Sequence, residues 1–331
     1  MSRYDIYGES PLKNIDTSFA SYVQRREAAQ NAHMEGGVPD YAFAMDYELR
    51  KKLLQIPGLF TIGKKLTNTF VARKIEEINQ EGIAVGPDQF PEIYQMGVDC
   101  AHRLGISVPN MFIVHDSSMN AYTYAFDDVS PIVVLHSGIV ERLTPGELKC
   151  VIAHECGHIH NNHGVLKVVV DYILSIASGT VGGIVLTAAN LALMNFWTRA
   201  GEVTSDRAAL ICADDIQDAL NVDYKLMYGA LLNNDSAMNL DALRKQLDRI
   251  FNSPTRINEL GYIAAAENGG YNVALNDHPG ALRRIFAELE FTECDVFYKW
   301  RPEMKKPGTV LRSKTETDER CKKLVSILNN K

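Results

Sequence analysis

No two cysteines in this sequence form a CxxC pair: Cys100, Cys150, Cys156, Cys212, Cys294 and Cys321 are scattered. At 331 residues the chain is long enough to build a core without disulfide staples, so free, buried thiols in a reducing cytosol are expected. Basic charge is also scarce. Against 41 Asp and Glu stand 34 Lys and Arg, a net charge of −7 with a pI near 5.7. No positive field is available to meet phosphates, which excludes nucleic acid as a partner. The opening residues, MSRYDIYGES, hold no basic stretch leading into an apolar run, so no secretory signal is expected. There is no internal repeat and no low-complexity tract. What is present, 46% hydrophobic and 23% charged residues, is the composition of a globular protein.

The pattern along the chain is mostly helical. Helices are expected at Ser18–Ala32, Tyr47–Leu54 and Thr61–Asn79, broken by GGVPD (36–40) and by Pro57-Gly58. A further helix is entered through Pro91 and closed by Gly105. Then the period shortens. MFIVH (111–115), NAYTYAF (120–126) and PIVVLH (131–136) are short and β-branched or aromatic, and read as three strands. Residues 205–331 return to helix, with loops near 233–236, 267–272 and 301–308 and a last amphipathic helix over Thr315–Leu328.

Between strands and tail stands LTPGELKCVIAHECGHIHNNH. Thr144 suits an N-cap, Pro145 the first helical position and Glu147 the acid of a capping box, so a helix is expected over Pro145–Asn162. It is apolar nearly all round and therefore central. Residues four apart share a helix face, so His154 and His158 can grip one metal ion. Glu155, about 100° round the helix, reaches a water there without being a ligand. The competing reading is a helix whose histidines are coincidental. A catalytic zinc also needs a third protein ligand and one open position. In FWTRAGEVTSDRAAL, Glu202 and Asp206 again lie four apart. Glu202 is a candidate third ligand, and Asp206 a candidate acceptor for the free ring nitrogen of a ligating histidine. The bland alternative is a solvated acidic face beside Arg199 and Arg207. His160 and His163 are read as solvated or capping histidines, and Cys156 as packing.

The segment NAYTYAFDDVSPIVVLHSGIVERLTPGELKCVIAHECGHIHNNH, with AGEVTSDRAAL and HPGALRRI (278–285), resembles the HtpX-like and CAAX-prenyl-protease-like peptidases, family M number forty-eight of the gluzincins. So does the upstream order PGLF, FPEIY, LGI, and the likeness covers roughly residues 40–300. The resemblance implies an α+β, mostly helical fold: a zincin-like metallopeptidase domain with a small three-stranded sheet and a central HExxH helix. The chain is divided into an N-terminal arm over 1–37, whose first 35 residues the resemblance leaves unexplained, the peptidase domain over 38–300 and a C-terminal tail and helix over 301–331. The resemblance places one Zn2+ on His154, His158 and Glu202 and a general base at Glu155, beside the Asp206 carboxylate expected to orient a ligating histidine. The substrate-binding edge strand falls on Asn120, Ala121 and Tyr122, with tyrosine where phenylalanine is usual. Late catalytic residues fall on His278 and, by spacing, Arg284. The implied activity is a zinc-dependent endopeptidase on extended or unfolded polypeptides. The alternative is a zinc-containing, chaperone-like scaffold with latent or no peptidase activity.

Tyr172 to Thr198 carries no charged side chain. A single membrane span is excluded if the metal site is real. It would put His158 and Glu202 on opposite sides of a bilayer about 30 Å thick, yet both must reach one ion. The chain must turn back, and SGTVGG (178–183) supplies the turn. Each arm is then about 20–24 Å long at 1.5 Å per residue, short for spanning. An apolar hairpin packed on the domain is favoured. Peripheral membrane contact or an oligomer interface through 165–199 is the minority reading. The expected location is cytoplasmic, with membrane association following from that minority reading.

Overall fold

The computed structural model describes residues 33–325, apart from 36, 60, 62–71, 127–128, 177–179, 182–183, 186, 229–238 and 253–280. In chain order the principal elements are α1 (Ala44–Leu54), α2 (Ala72–Glu81), β1 (Ile83–Val85), α3 (Pro91–Leu104), β2 (Asn110–Val114), β3 (Ala121–Phe126), β4 (Val129–His136), α4 (Pro145–His160), α5 (Gly164–Ile176), α6 (Ala188–Cys212), α7 (Ile216–Tyr228), α8 (Leu240–Asn252), α9 (Ala281–Phe291) and α10 (Lys314–Val325). The helix expected at 18–32 and the loops expected at 233–236 and 267–272 lie outside the described residues.

Thr144 begins the central element. Its hydroxyl accepts from the Glu147 backbone N–H, and the Glu147 carboxylate accepts from the Thr144 N–H in return. This box satisfies two backbone donors that the first turn would otherwise leave unpaired, worth about 1 kcal/mol. The α4 helix that follows is buried on almost every side; Val151, Ile152, Ala153, Cys156 and Ile159 all enter the main core. The motif therefore sits inside the protein, fixed by packing from α3, α6 and the sheet.

The sheet has four strands, not the three expected. Ile83–Val85 adds antiparallel to β2, giving the order β1-β2-β4-β3. This strand escaped the sequence pattern because it is three residues long and its Ile83 is exposed, leaving no alternation to detect. The β2 and β4 strands run parallel and β3 returns antiparallel to β4, with Ala121 opposite Leu135. Among the described residues the β3 strand is outermost in this sheet, pairing with β4 alone, and it packs beside α4 and α5. A register shift between Tyr124 and Phe126 bends it where α5 begins. A Cβ on Gly164 would lie 1.6 Å from the Ala125 carbonyl oxygen, so only glycine allows that approach.

The apolar run does fold back. The strands Thr180–Val181 and Ile184–Val185 pair between α5 and α6. Leu166, Val169, Val170 and Ile173 of α5 share one core with Met194, Trp197, Ala200 and Val203 of α6 and with Phe43, Leu49 and Leu53. Among the described residues no helix is long and apolar enough to cross a membrane. Within the described residues, α10 of the C-terminal segment packs on α1, α6 and α9. Thr317 and Cys321 are fully buried, Asp318 pairs with Arg207 at 2.7 Å, and the Trp300 indole N–H donates to Asp40 at 2.7 Å. All six cysteines are free and buried.

Candidate metal centre

Two helices make the site, and a glycine lets them meet. Gly157 lies between the two motif histidines in sequence. A Cβ there would come 2.8 Å from the Ala208 Cβ and 3.0 Å from the Ser205 Cα. That close approach sets α6 against α4 and brings Glu202 and Asp206 to the histidines. Gly157→Ala should therefore push α6 outward, cost about 1–3 kcal/mol of stability and weaken the binding of any metal ion held between the two helices by about tenfold or more. Thermal unfolding and a competitive-chelator titration read the two effects, and an unchanged metal affinity would sever this link between helix spacing and ligand geometry.

His154 Nε2 lies 3.4 Å from one Glu202 oxygen, His158 Nε2 lies 3.5 Å from the other, and the two Nε2 atoms are 3.2 Å apart. The donor atoms of the three residues all fall within 4.8 Å of one another. Glu202 is 0% exposed, a burial that a carboxylate tolerates only with positive charge beside it. Burial works against a charged His154, but Asp206 and Glu202 outweigh it and push its pKa up to about 10. Lys167 Nζ, 3.8 Å from Glu202 Oε1, supplies part of that positive charge, and a cation held among the three side chains would add to it. Two imidazoles and one carboxylate, with no fourth donor in the group among the described residues, are the donor set of a catalytic zinc.

The remaining ring nitrogens decide whether the lone pairs face the right way. Asp206 Oδ1 accepts from His154 Nδ1 at 2.9 Å, which leaves Nε2 for a metal. Asp206 is itself held by Arg284, at 2.9 Å from Nε and 2.5 Å from Nη2. Arg284, read from the sequence as acting on the reaction, is thus a partner of Asp206 and lies 3.3 Å from Asp223. His278 lies outside the described residues.

His158 is oriented by a residue that the sequence reading set aside. His163 is 1% exposed, not solvated, and its Nδ1 is 2.8 Å from His158 Nδ1. Its Nε2 is 2.9 Å from Asp46 Oδ2. Asp46 also accepts from the Trp197 indole at 3.0 Å and the Thr204 hydroxyl at 2.8 Å, and His163 holds its pKa low against the effect of burial. A carboxylate can only accept, so His163 Nε2 carries the proton and its Nδ1 accepts from His158 Nδ1–H. His158 Nε2 is then a bare lone pair, and burial keeps this ring neutral by lowering its pKa well below the usual value. His160 is buried as well, 3.0 Å from the Tyr41 hydroxyl.

Glu155 points to the sheet side. The Thr123 hydroxyl on β3 donates to its Oε2 at 2.6 Å. Burial raises its pKa above the ordinary carboxylate value. Asn120 and Ala121 border cavities on both sides of His154 and Glu155, and Tyr122 lines one of them. The Tyr122 ring packs against Tyr124, at 5.3 Å between centroids. Thr123 had no sequence signal beyond the strand alternation that turns it toward α4 while Tyr122 and Tyr124 face away.

A helix-borne His-Glu-x-x-His completed by a carboxylate from a second helix defines a metal-site protein of the two-histidine, one-glutamate class. Comparison with known proteins gives the family: the profile of Peptidase family M48 matches residues 87–290, and the chain belongs to it. The plastoglobule-localized metallopeptidase 48 of Arabidopsis thaliana is 31% identical over 223 residues, 65% of this chain and 64% of that protein. Protease HtpX of Legionella pneumophila is 27% identical over 99 residues, 30% of this chain and 32% of that protein. The chain therefore matches less than two thirds of the length of each. The crystal structure of S. mikatae Ste24p aligns with 82% of this chain and 68% of that one, at 16% identity and a TM-score of 0.39.

Proposed function

We propose that this chain is a zinc-dependent endopeptidase acting on extended or unfolded polypeptides. The observation that carries the reading is the convergence of His154, His158 and Glu202 beside a Glu155 that is not in the ligand group, next to an outer strand edge. A scaffold that kept zinc for structure alone would call for four protein donors, and the group here offers three.

His154, His158 and Glu202 hold the ion, one per chain. When bound, zinc supplies a Lewis acid that polarises the scissile carbonyl and makes water acidic enough to attack near neutral pH. Glu155 takes the proton of the attacking water and passes it to the leaving amine. Its burial favours the protonated form more than in water, which makes it a better acceptor for that proton. The Thr123 hydroxyl fixes the carboxylate facing the site. Substrate pairs through its main chain with the β3 edge at Asn120–Tyr122, a mode open only to a chain without its own secondary structure there. Asp206 and His163 fix the ligand tautomers, and Arg284 fixes Asp206. His278 remains a candidate for stabilising the oxyanion. The cytoplasm is the proposed location, with peripheral membrane contact through 165–199 as the alternative.

Metal removal tests the reading. Dialysis against a chelator should abolish cleavage of an unfolded protein, and about one equivalent of zinc should restore it. Cleavage that persists in metal-stripped protein would end the proposal.

A further inference from the structure

Beside the ligand group lies a cavity of about 450 Å³ with two kinds of lining. His154 and Glu155 border it, Val151, Val222 and Leu226 give it apolar walls, and Glu288 lines it too. Glu288 is 3% exposed, and among the described residues its Oε2 has no hydrogen-bond partner. Carboxylate oxygens of Glu288, Asp223 and Asp206 lie within 4.8 Å of one another. Burial first, then the charges of Asp223 and Asp206, raises the Glu288 pKa well above the carboxylate range. Arg284 bonds Asp206 and lies 3.3 Å from Asp223.

A buried carboxyl oxygen without a donor is costly, and the side chain that carries it lines a space that another side chain can enter. A wholly apolar side chain would fill the walls and leave that oxygen unsatisfied. The Arg284 charge opposes any cation here, a metal ion and a basic side chain alike; what favours the side chain is the apolar wall, which a bare ion would leave unfilled. An alkyl stem tipped with a cation meets both linings: methylenes on the apolar walls, donors on the acid cluster.

We propose that this cavity selects a basic residue, lysine or arginine, adjoining the scissile bond, with Glu288 as the specificity-determining residue. The assignment rests on the endopeptidase reading for the position of the bond, but not for binding itself.

The experiment uses the full zinc-loaded chain and two readouts. The probes are unstructured peptides identical except for one central residue: Lys, Arg, Leu, Phe or Asp. Turnover is measured with the cleavage position mapped by mass spectrometry. Binding is measured separately by fluorescence anisotropy to the Glu155→Gln protein. Lysine and arginine peptides should be favoured over leucine by tenfold or more, with cleavage next to the basic residue. Glu288→Leu should reverse that order, and the isosteric Glu288→Gln should reduce binding of the basic peptides by about thirtyfold, because a bound cation draws Glu288 into its ionised form and an amide cannot follow. Zinc content reports whether either variant has disturbed the site. Cleavage that prefers leucine or phenylalanine and ignores Glu288→Gln overturns the inference while the endopeptidase reading stands. Binding that prefers lysine through Glu288 with no cleavage of any peptide supports the cavity assignment and sinks the endopeptidase reading. Binding and cleavage indifferent to the central residue overturn the inference.

Discussion

Glu155→Gln should keep about one zinc per chain and lose roughly a thousandfold of its turnover on unfolded protein, the range over which a positioned general base acts. Two structural facts separate the effects. Glu155 is not in the His154–His158–Glu202 group, so the amide removes no ligand. Its Oε2 accepts from the Thr123 hydroxyl, and a glutamine oxygen accepts the same bond, so the side chain need not move. What disappears is a group able to take a proton and hand it on. Zinc content by elemental analysis and initial rates on a denatured substrate read the two halves. Loss of zinc with activity would make Glu155 part of the metal cage, and full activity with zinc retained would remove it from the chemistry.

The contrast between what the sequence disclosed and what it concealed follows the range of the interactions. The α4 helix was legible because its signals are local: a Thr-Pro-x-Glu cap and two histidines one turn apart. The capping box appears as expected, and the helix ends at His160, two residues short of the expected end. The partner segment was legible for a similar reason, since Glu202 and Asp206 are one turn apart on a second helix and carry charge in an apolar context. The strands at 110–136 followed from β-branched runs. The fourth strand did not, being too short to show a period. Thr123 and Glu155 are 32 positions apart, and His163 and Asp46 are 117 apart. No spacing rule joins such residues; only the packed core brings them together. Asp46 carried no signal in the sequence, lying one residue before the helix expected at Tyr47–Leu54. It is buried beneath His163, Trp197 and Thr204, where it ties α1 to the site.

That buried tie leads to the second large effect. His163→Ala should lower zinc affinity by about 10- to 100-fold, the usual consequence of removing a ligand's hydrogen-bond partner. The ring of His163 accepts from His158 Nδ1 on one side and donates to Asp46 on the other. Without it the His158 ring is free to turn or to change tautomer, and either places an N–H where a lone pair is needed. The deletion also leaves Asp46 buried without one of its donors, so stability should fall by about 1–3 kcal/mol. These two consequences can be told apart by a rescue. His163→Gln offers an amide oxygen to His158 and an amide N–H to Asp46 in one side chain, and should recover most of the zinc affinity. His163→Phe fills the space and offers neither, and should resemble alanine in affinity while recovering packing. A chelator titration of the three variants, set beside their thermal unfolding, decides the matter. Were phenylalanine to restore zinc binding as well as glutamine does, His163 would be packing alone, and the tautomer of His158 would be set by something other than the relay to Asp46.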